Sequence, residues 1–239
     1  RRVSPVSLRR IYNFWPYILN ATGDYTVNQT INTFAQHIGL PLSAGQVELL
    51  ERYAGLVWQK KDFLNLTSAA DVQEIYARHI CDGLTAAAFI YKESQGANGV
   101  EVGDAGAGAG YIGLVCAVAL PQSRITLIES LQRRSSFMNW AILTLGLKNA
   151  RVANCRLGEK TAFSLDYLTE RAMGKLTDIL PLCAAAVKAG GKFIAFQGEH
   201  PDEMTPALLA KCGVRARALQ PYALPQDDKK RFLAVFDKD

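Results

Sequence analysis

From residue 99 to its end the chain alternates short apolar runs with segments of helical period, and one join between them is the stretch "DAGAGAGYIG" at residues 104–113. The apolar runs near 99–104, 124–129, 150–154, 165–169, 192–197, 214–219 and 231–236 read as strands. The segments near 111–119, 133–145, 175–188 and 202–211 read as helices. Strands separated by helices must cross over and return in the same direction. The pattern therefore predicts a mostly parallel sheet with helices on both faces.

The first part of the chain is different. Residues 1–27 form a basic extension, with four arginines and no acid up to residue 23, and with Phe14, Trp15 and Tyr17 as possible anchors. An Arg-rich, acid-poor start also fits an organellar presequence. Residues 28–95 read as a helical domain. Pro41-Leu42-Ser43 opens one helix, with Ser43 as N-cap, Gln46 closing a capping box and Leu42 stapled to Val47. Its apolar face is Val47, Leu50, Ala54 and Val57. A second helix starts near Ser68 to Asp71, with a face of Val72, Ile75, Tyr76, His79, Ile80, Leu84 and Ala87. Residues 96–239 then form the sheet domain.

Composition narrows the class. With 49% hydrophobic and 21% charged residues among 239, the chain can bury a core. No apolar run approaches the ~18 residues that span a bilayer, so no membrane partner is expected. The five cysteines lie without CxxC spacing, which argues for a reducing compartment and against a structural zinc. The three histidines are far apart in sequence, and no metal site is expected. The net charge is +5, and residues 131–160 carry six cations against one acid. That excess suits an anionic partner or a solvated face.

The glycine stretch is the candidate binding site. It follows a strand ending at Asp104 and leads into a helix near Tyr111. Parallel sheets bind ligands beyond the carboxyl ends of their strands. Gly108-x-Gly110-x-x-Gly113 is a literal dinucleotide fingerprint, so an NAD-type oxidoreductase is one reading. A pyrophosphate at this turn, however, would meet the Asp104 carboxylate. S-adenosylmethionine has no phosphate and carries an ammonium and a sulfonium, which an acid favours. Gly106 and Gly108 allow it to lie on bare backbone. Glu129, at the end of the second strand in "LIES", is placed for vicinal ribose hydroxyls, which both cofactors have.

With those residues placed, the chain resembles the ribosomal RNA small-subunit methyltransferase G family, also called glucose-inhibited division protein B. The likeness runs from about Ser43 to Lys238. It rests on "NLT" at Asn65–Thr67, "RHICDGL" at Arg78–Leu84, "DAGAGAGYIG", "LIESLQRRSSFM" and "TERAMGKL" at Thr169–Leu176. Departures are Tyr111-Ile112 in place of Phe-Pro, Gly158 in place of a common carboxylate, and Gln197 in place of Lys. The resemblance implies a Rossmann-like class I methyltransferase sheet of seven strands, the last antiparallel, with a small N-terminal helical domain. It implies methyl transfer from S-adenosylmethionine to guanine N7 of small-subunit ribosomal RNA or a pre-ribosomal particle. By motif, Gly106, Gly110 and Tyr111 border the cofactor, Leu157 and Gly158 meet its adenine side through backbone, and Arg171 sits near its reactive end.

Guanine N7 offers an in-plane lone pair and no proton, so no general base is expected. Arg171 becomes the candidate catalytic residue through O6 of guanine or a phosphate, the plain alternative being a structural ion pair with Glu170 or Asp166. His79 with Asp82 one turn later reads as a buried structural pair, and Asn65 as a loop cap. N7 lies in a groove of A-form RNA that side chains cannot read, so the target must be unpaired or extruded. Arg133, Arg134, Arg151 and Arg156 are the candidate phosphate contacts. A ribosome-assembly factor with lost catalysis is the reading from another class, motivated by Gln197, Gly158 and the N-terminal extension. The expected compartment is the bacterial cytoplasm, with an organellar matrix as the alternative.

Overall fold

The structure, a computed structural model, describes residues 27–159, 162–199, 202, 204–225 and 227–239. The basic extension up to residue 26 lies outside the described residues.

Eight strands form one sheet: β1 (Glu101–Ala105), β2 (Arg124–Ile128), β3 (Ala150–Ala153), β4 (Leu165–Glu170), β5 (Val187–Gln197), β6 (Val214–Ala216), β7 (Gln220–Leu224) and β8 (Asp227–Lys238). Their order is β3-β2-β1-β4-β5-β8-β6, with β7 paired to β8 off this path. The pairings from β3 through β5 are parallel, and β8 runs antiparallel to β5, β6 and β7. All seven expected strands are present, and the last is antiparallel as expected. The expected count is corrected by β7, which forms a hairpin with β8. Pro221 in β7 and Pro225 in the turn obscure it, because proline reads as a break in a strand. β7 tolerates Pro221 as it pairs with β8 alone.

Helices cover both faces. On one side lie α1 (Val27–His37), α2 (Ala44–Leu64), a long helix made of α3 (Val72–Glu74), a π-helical segment (Ile75–Ile80) and α4 (Cys81–Glu93), then α5 (Gly113–Ala119) and α6 (Gln132–Leu145). On the other lie α7 (Leu176–Ala186) and α8 (Pro206–Cys212). Each side buries its own apolar cluster against the sheet.

The local rules hold at the helix starts. Ser43 caps α2, with Gln46 completing the capping box, and the Asp71 carboxylate accepts the Glu74 N–H at 2.8 Å. Val47, Leu50, Ala54 and Val57 are buried, together with Tyr53. Asn65 ends α2 in the left-handed conformation at φ 50°, a backbone state asparagine tolerates. The π-helical segment turns with i→i+5 bonds, ending where the Cys81 N–H reaches the Tyr76 carbonyl.

Gly83 explains how closely α4 approaches α5 and the turn before it. A Cβ there would collide with the Tyr111 carbonyl and stand 2.6 Å from Val115 Cβ. The missing side chain lets α4 lie directly on the turn that opens α5. This brings the helical segment and the glycine turn together at one place.

Candidate functional site: a cleft at the carboxyl ends of β1, β2 and β4

A cleft of about 270 Å³ opens at the glycine turn. Asp104, Gly106, Gly108 and Tyr111 form one wall, and Leu66, Arg134 and Arg171 line it from other elements. Gly106 and Gly108 have φ of 63° and 61°, where a side chain is strained. A Cβ on Gly106 would also press on Met173 Cγ at 3.0 Å. Bare backbone is thus favoured at both positions, and both line the cleft.

Two carboxylates hold the turn. Asp104, at the end of β1, accepts the Gly113 N–H at 2.8 Å and the Thr169 hydroxyl at 3.2 Å. Burial pushes its carboxyl up to about 6, against the pull of those two donors and of the Arg171 charge. Glu129, just past β2, accepts the Gly108 N–H at 3.0 Å and the Leu131 N–H at 2.8 Å, with Arg134 Nη1 at 4.0 Å. Each carboxylate has about four lone-pair sites, so both keep acceptor capacity for a ligand.

A third acid, expected only as a structural partner for Arg171, turns out to be buried at a strand end. Glu170 ends β4 opposite Ala105 of β1 and is buried, accepting the Met173 N–H at 3.2 Å. Burial raises its carboxyl to about 7, and the charges of Asp104 and Asp202 add to the shift. The signal for it was its position at a strand end, directly before Arg171.

Arg171 faces the cleft from beyond β4. Its Nη1 donates to Asp82 Oδ2 at 2.7 Å and to His79 Nδ1 at 3.3 Å. Its guanidinium carbon lies 5.2 Å from the Tyr111 ring centre. The structural pair with Glu170 or Asp166 does not form; Asp166 instead bonds Lys188 and the Glu101 N–H. Asp82 is also held from behind, where the Tyr222 hydroxyl of β7 donates to Oδ1 at 2.8 Å. The next residue, Ala172, lines the cleft at φ 60°, a conformation rare outside glycine.

His79 does not pair with Asp82 as the sequence suggested. The Arg171 guanidinium has only donors, so Nδ1 is the acceptor and Nε2 carries the proton to Thr67 Oγ1 at 2.8 Å. The ring stacks on Tyr111 with centres 4.1 Å apart. Burial, then the Arg171 and Arg78 charges, pull its pKa down to about 3. His79 is therefore a neutral spacer under Tyr111.

The remaining sequence candidates lie around this centre. Gly110 is buried and its open side is filled by Leu114 and Leu127. Leu157 is buried in the cluster under α7, and Gly158, at φ 90°, is exposed beside Leu182. Arg133 is exposed at the start of α6, next to Arg134 in the cleft wall. Arg156 lies past β3 and meets Glu159 at 3.5 Å. Arg151 sits within edge strand β3 and donates to Thr126 Oγ1 at 3.1 Å, away from the strand ends. Gln197 accepts the Asp202 N–H at 3.2 Å. Among the described residues no cluster of His, Cys, Asp or Glu could hold a metal ion. None of the described helices is long and apolar enough to cross a membrane.

This strand order, with an acid and a glycine turn after β1 and an acid after β2, defines the class I methyltransferase fold. A solved structure of the same architecture is magnesium protoporphyrin IX methyltransferase from Synechocystis with bound SAM, at a TM-score of 0.57 and 10% identity over 82% of this chain and 98% of that one. TrmN from Thermus thermophilus matches at 0.51 and 19% identity over 69% and 53%. At these identities the likeness is one of fold. The family model GidB, described as rRNA small subunit methyltransferase G, matches residues 46–228, and the chain belongs to that family. Ribosomal RNA small subunit methyltransferase G of an Exiguobacterium strain is 32% identical, over 84% of this chain and 86% of that protein. Its namesake in Xanthomonas campestris is 34% identical, over 80% and 86%.

Proposed function

We propose that the protein is an S-adenosylmethionine-dependent methyltransferase that modifies N7 of a guanine in small-subunit ribosomal RNA. The observation that carries the reading is the pair of buried carboxylates, Asp104 and Glu129, bonded to the glycine turn with Arg171 across the cleft. A pyrophosphate would be repelled there, whereas a ligand bearing ammonium and sulfonium charges is favoured. Gly106 and Gly108 line the cleft with bare backbone held at positive φ, so the residues present fit this cofactor. Family membership supports the same substrate class.

S-adenosylmethionine, when bound, supplies a methyl group on a positively charged sulfur. The chain's own residues then orient and exclude. Glu129 fixes the turn through Gly108 and keeps lone pairs for ribose hydroxyls. Leu157 and Gly158 offer backbone on the adenine side. Tyr111, backed by the neutral His79, shapes the floor. Arg171 is the candidate catalytic residue: Nη1 is committed to Asp82 and His79, and its other N–H groups remain for guanine O6 or a phosphate. Because N7 carries no proton, no residue needs to act as base. Positioning alone can supply roughly 7–11 kcal/mol.

Arg133 and Arg134 begin the phosphate path, and Arg156 extends it. Arg151, inside β3, would join only if RNA wraps that edge of the sheet. In this reading residues 28–95 form the substrate-facing helical part, and 96–239 bind cofactor. The protein would work in the bacterial cytoplasm, on RNA or on a pre-ribosomal particle. The test is to map methylated guanines in ribosomal RNA from a deletion strain, alongside calorimetric binding of S-adenosylmethionine to the purified chain. A missing guanine methyl with measurable cofactor binding supports the reading. Particle binding without cofactor binding would instead make it an assembly factor on a methyltransferase fold.

A further inference from the structure

Away from the cleft, the outer flanks of α2 and α6 place apolar rings among cations. On α6, Trp140 is 37% exposed and Leu143 is 81% exposed; on α2, Phe63 is 86% exposed. Lys60 Nζ lies 5.6 Å from the Trp140 ring centre. Arg52 Nη2 donates to the Thr144 carbonyl at 3.0 Å, so α2 and α6 are joined along this flank.

The charge is one-sided. α6 contains Arg133 and Arg134 and no acid. Its exposed positions Arg133, Ser136, Trp140 and Leu143 recur every three or four residues and share one side of the helix. On α2, Arg52 and Lys60 reach α6 and Phe63 lies on the same arc, with Glu48 one turn before Arg52 at its edge and Glu51 and Asp62 outside it. Arg133, the first residue of the stripe, directly precedes Arg134, which lines the cleft from the next position on the helix. From Arg134 to Leu143 the helix rises about 14 Å, the length of about four stacked nucleotide steps.

An exposed ring bracketed by cations, with no acid beside it, fits a chain of flat bases and phosphates. Protein interfaces instead deplete lysine around their aromatic residues, although they keep arginine, so Lys60 over the indole favours the RNA reading. Base–aromatic stacking beside a basic track is how unpaired nucleic acid is held without sequence reading. We infer that the α2–α6 face is a second RNA-contact surface, on which unpaired nucleotides flanking the target stack on Trp140 while Lys60, Arg52 and Arg133 take phosphates. The inference rests on the reading of the protein as an RNA methyltransferase and adds a path for its substrate. Lys60, now over the indole, would yield that ring face to a base and turn to the backbone.

The experiment uses the full chain and two ligands: a short unstructured RNA labelled for fluorescence anisotropy, and small-subunit particles. Trp140→Ala should weaken oligonucleotide binding by between about fivefold and a hundredfold. Trp140→Phe should restore most of it, and Lys60→Glu should weaken it and flatten its salt dependence. Cofactor affinity should stay as in the parent, and binding is measured well below each variant's melting transition, because Trp140 also packs on Phe137. Unchanged oligonucleotide affinity in both Trp140→Ala and Lys60→Glu overturns the inference. So does a loss confined to particles, which would make this face a protein-docking site. The guanine-methyl mapping tests the enzymatic reading separately, so a failure of either is told apart.

Discussion

Asp82 Oδ2 accepts the Arg171 Nη1 proton at 2.7 Å, tying the long helix to the strand end where the candidate catalytic arginine stands. Asp82 is 4% exposed at its side chain and Arg171 23%. Asp82→Asn keeps the shape and removes the charge. We expect a loss of about 1–3 kcal/mol in urea unfolding, below the ~3–5 of a fully buried pair because Arg171 is partly solvated. Single-turnover methylation should slow at least as much as in Arg171→Lys, which keeps charge but loses the planar fork. Cofactor affinity should change less in both. Full activity in Arg171→Lys would leave Arg171 with a structural role only.

The buried acids set a pH dependence. The carboxyls of Asp104 and Glu170 titrate near 6 and 7, above the ordinary carboxylate range. Raised acid pKa values mean that ionisation costs the folded chain. Their contribution to stability is full below about pH 4 and is lost as pH rises through 6 and 7. A cationic ligand has the opposite preference. Its affinity should rise about tenfold across the same window for each unit by which it lowers these pKa values. His79, held near 3, stays neutral throughout and adds no step above pH 5. Calorimetry of S-adenosylmethionine from pH 5 to 8.5, set against ligand-free unfolding, checks both signs. Affinity flat over this window would remove Asp104 from the binding site.

Gly83→Ala should destabilise the chain, although alanine favours a helix. The added methyl meets the Tyr111 carbonyl and Val115. Overpacking of this kind costs about 1–3 kcal/mol. Thermal unfolding measures it, and the glycine turn should also bind cofactor less tightly because Tyr111 is displaced. A variant as stable as the parent would show that α4 can move outward freely.

Arg133→Glu with Arg134→Glu should weaken RNA binding and lower the slope of log K against log salt by roughly one to two. Cofactor affinity should change little in Arg133→Glu alone, since Arg133 is exposed while Arg134 lines the cleft 4.0 Å from Glu129. Titration of RNA at several salt concentrations reads it directly. Equal slopes in both forms would return these arginines to the solvated surface.

The sheet and the acidic glycine turn were readable because each is local. A strand, a glycine run and a strand-end acid lie within about ten residues. Tertiary partners were not readable in this way. The Asp82–Arg171 pair joins distant segments, and the sequence offered Asp166 and Glu170 as nearer acids. The proposed His79–Asp82 pair assumed a 3.6-residue turn, but His79 lies in the π-helical segment, whose wider turn sends it to Thr67 and Arg171 instead. β7 was hidden by its prolines. Ala172 in the left-handed region gave no sign, because alanine is not a residue that marks such a turn.

The π-helical segment also limits how this chain can change length. It carries its residues on i→i+5 bonds between α3 and α4. Deleting one residue there would relax the segment to ordinary α geometry and leave the two ends of the long helix close to their present phase, because the wider turn takes up about one extra residue. Ile75 and Tyr76 before it, and Asp82 and Gly83 after it, could then keep their seats, whereas a deletion within α4 would rotate one end by about 100° against the other. Single-residue deletions should therefore be tolerated in the segment Ile75–Ile80 or in the loop at residues 94–100, and be damaging within Cys81–Glu93. A deletion scan across this helix would trace that boundary residue by residue.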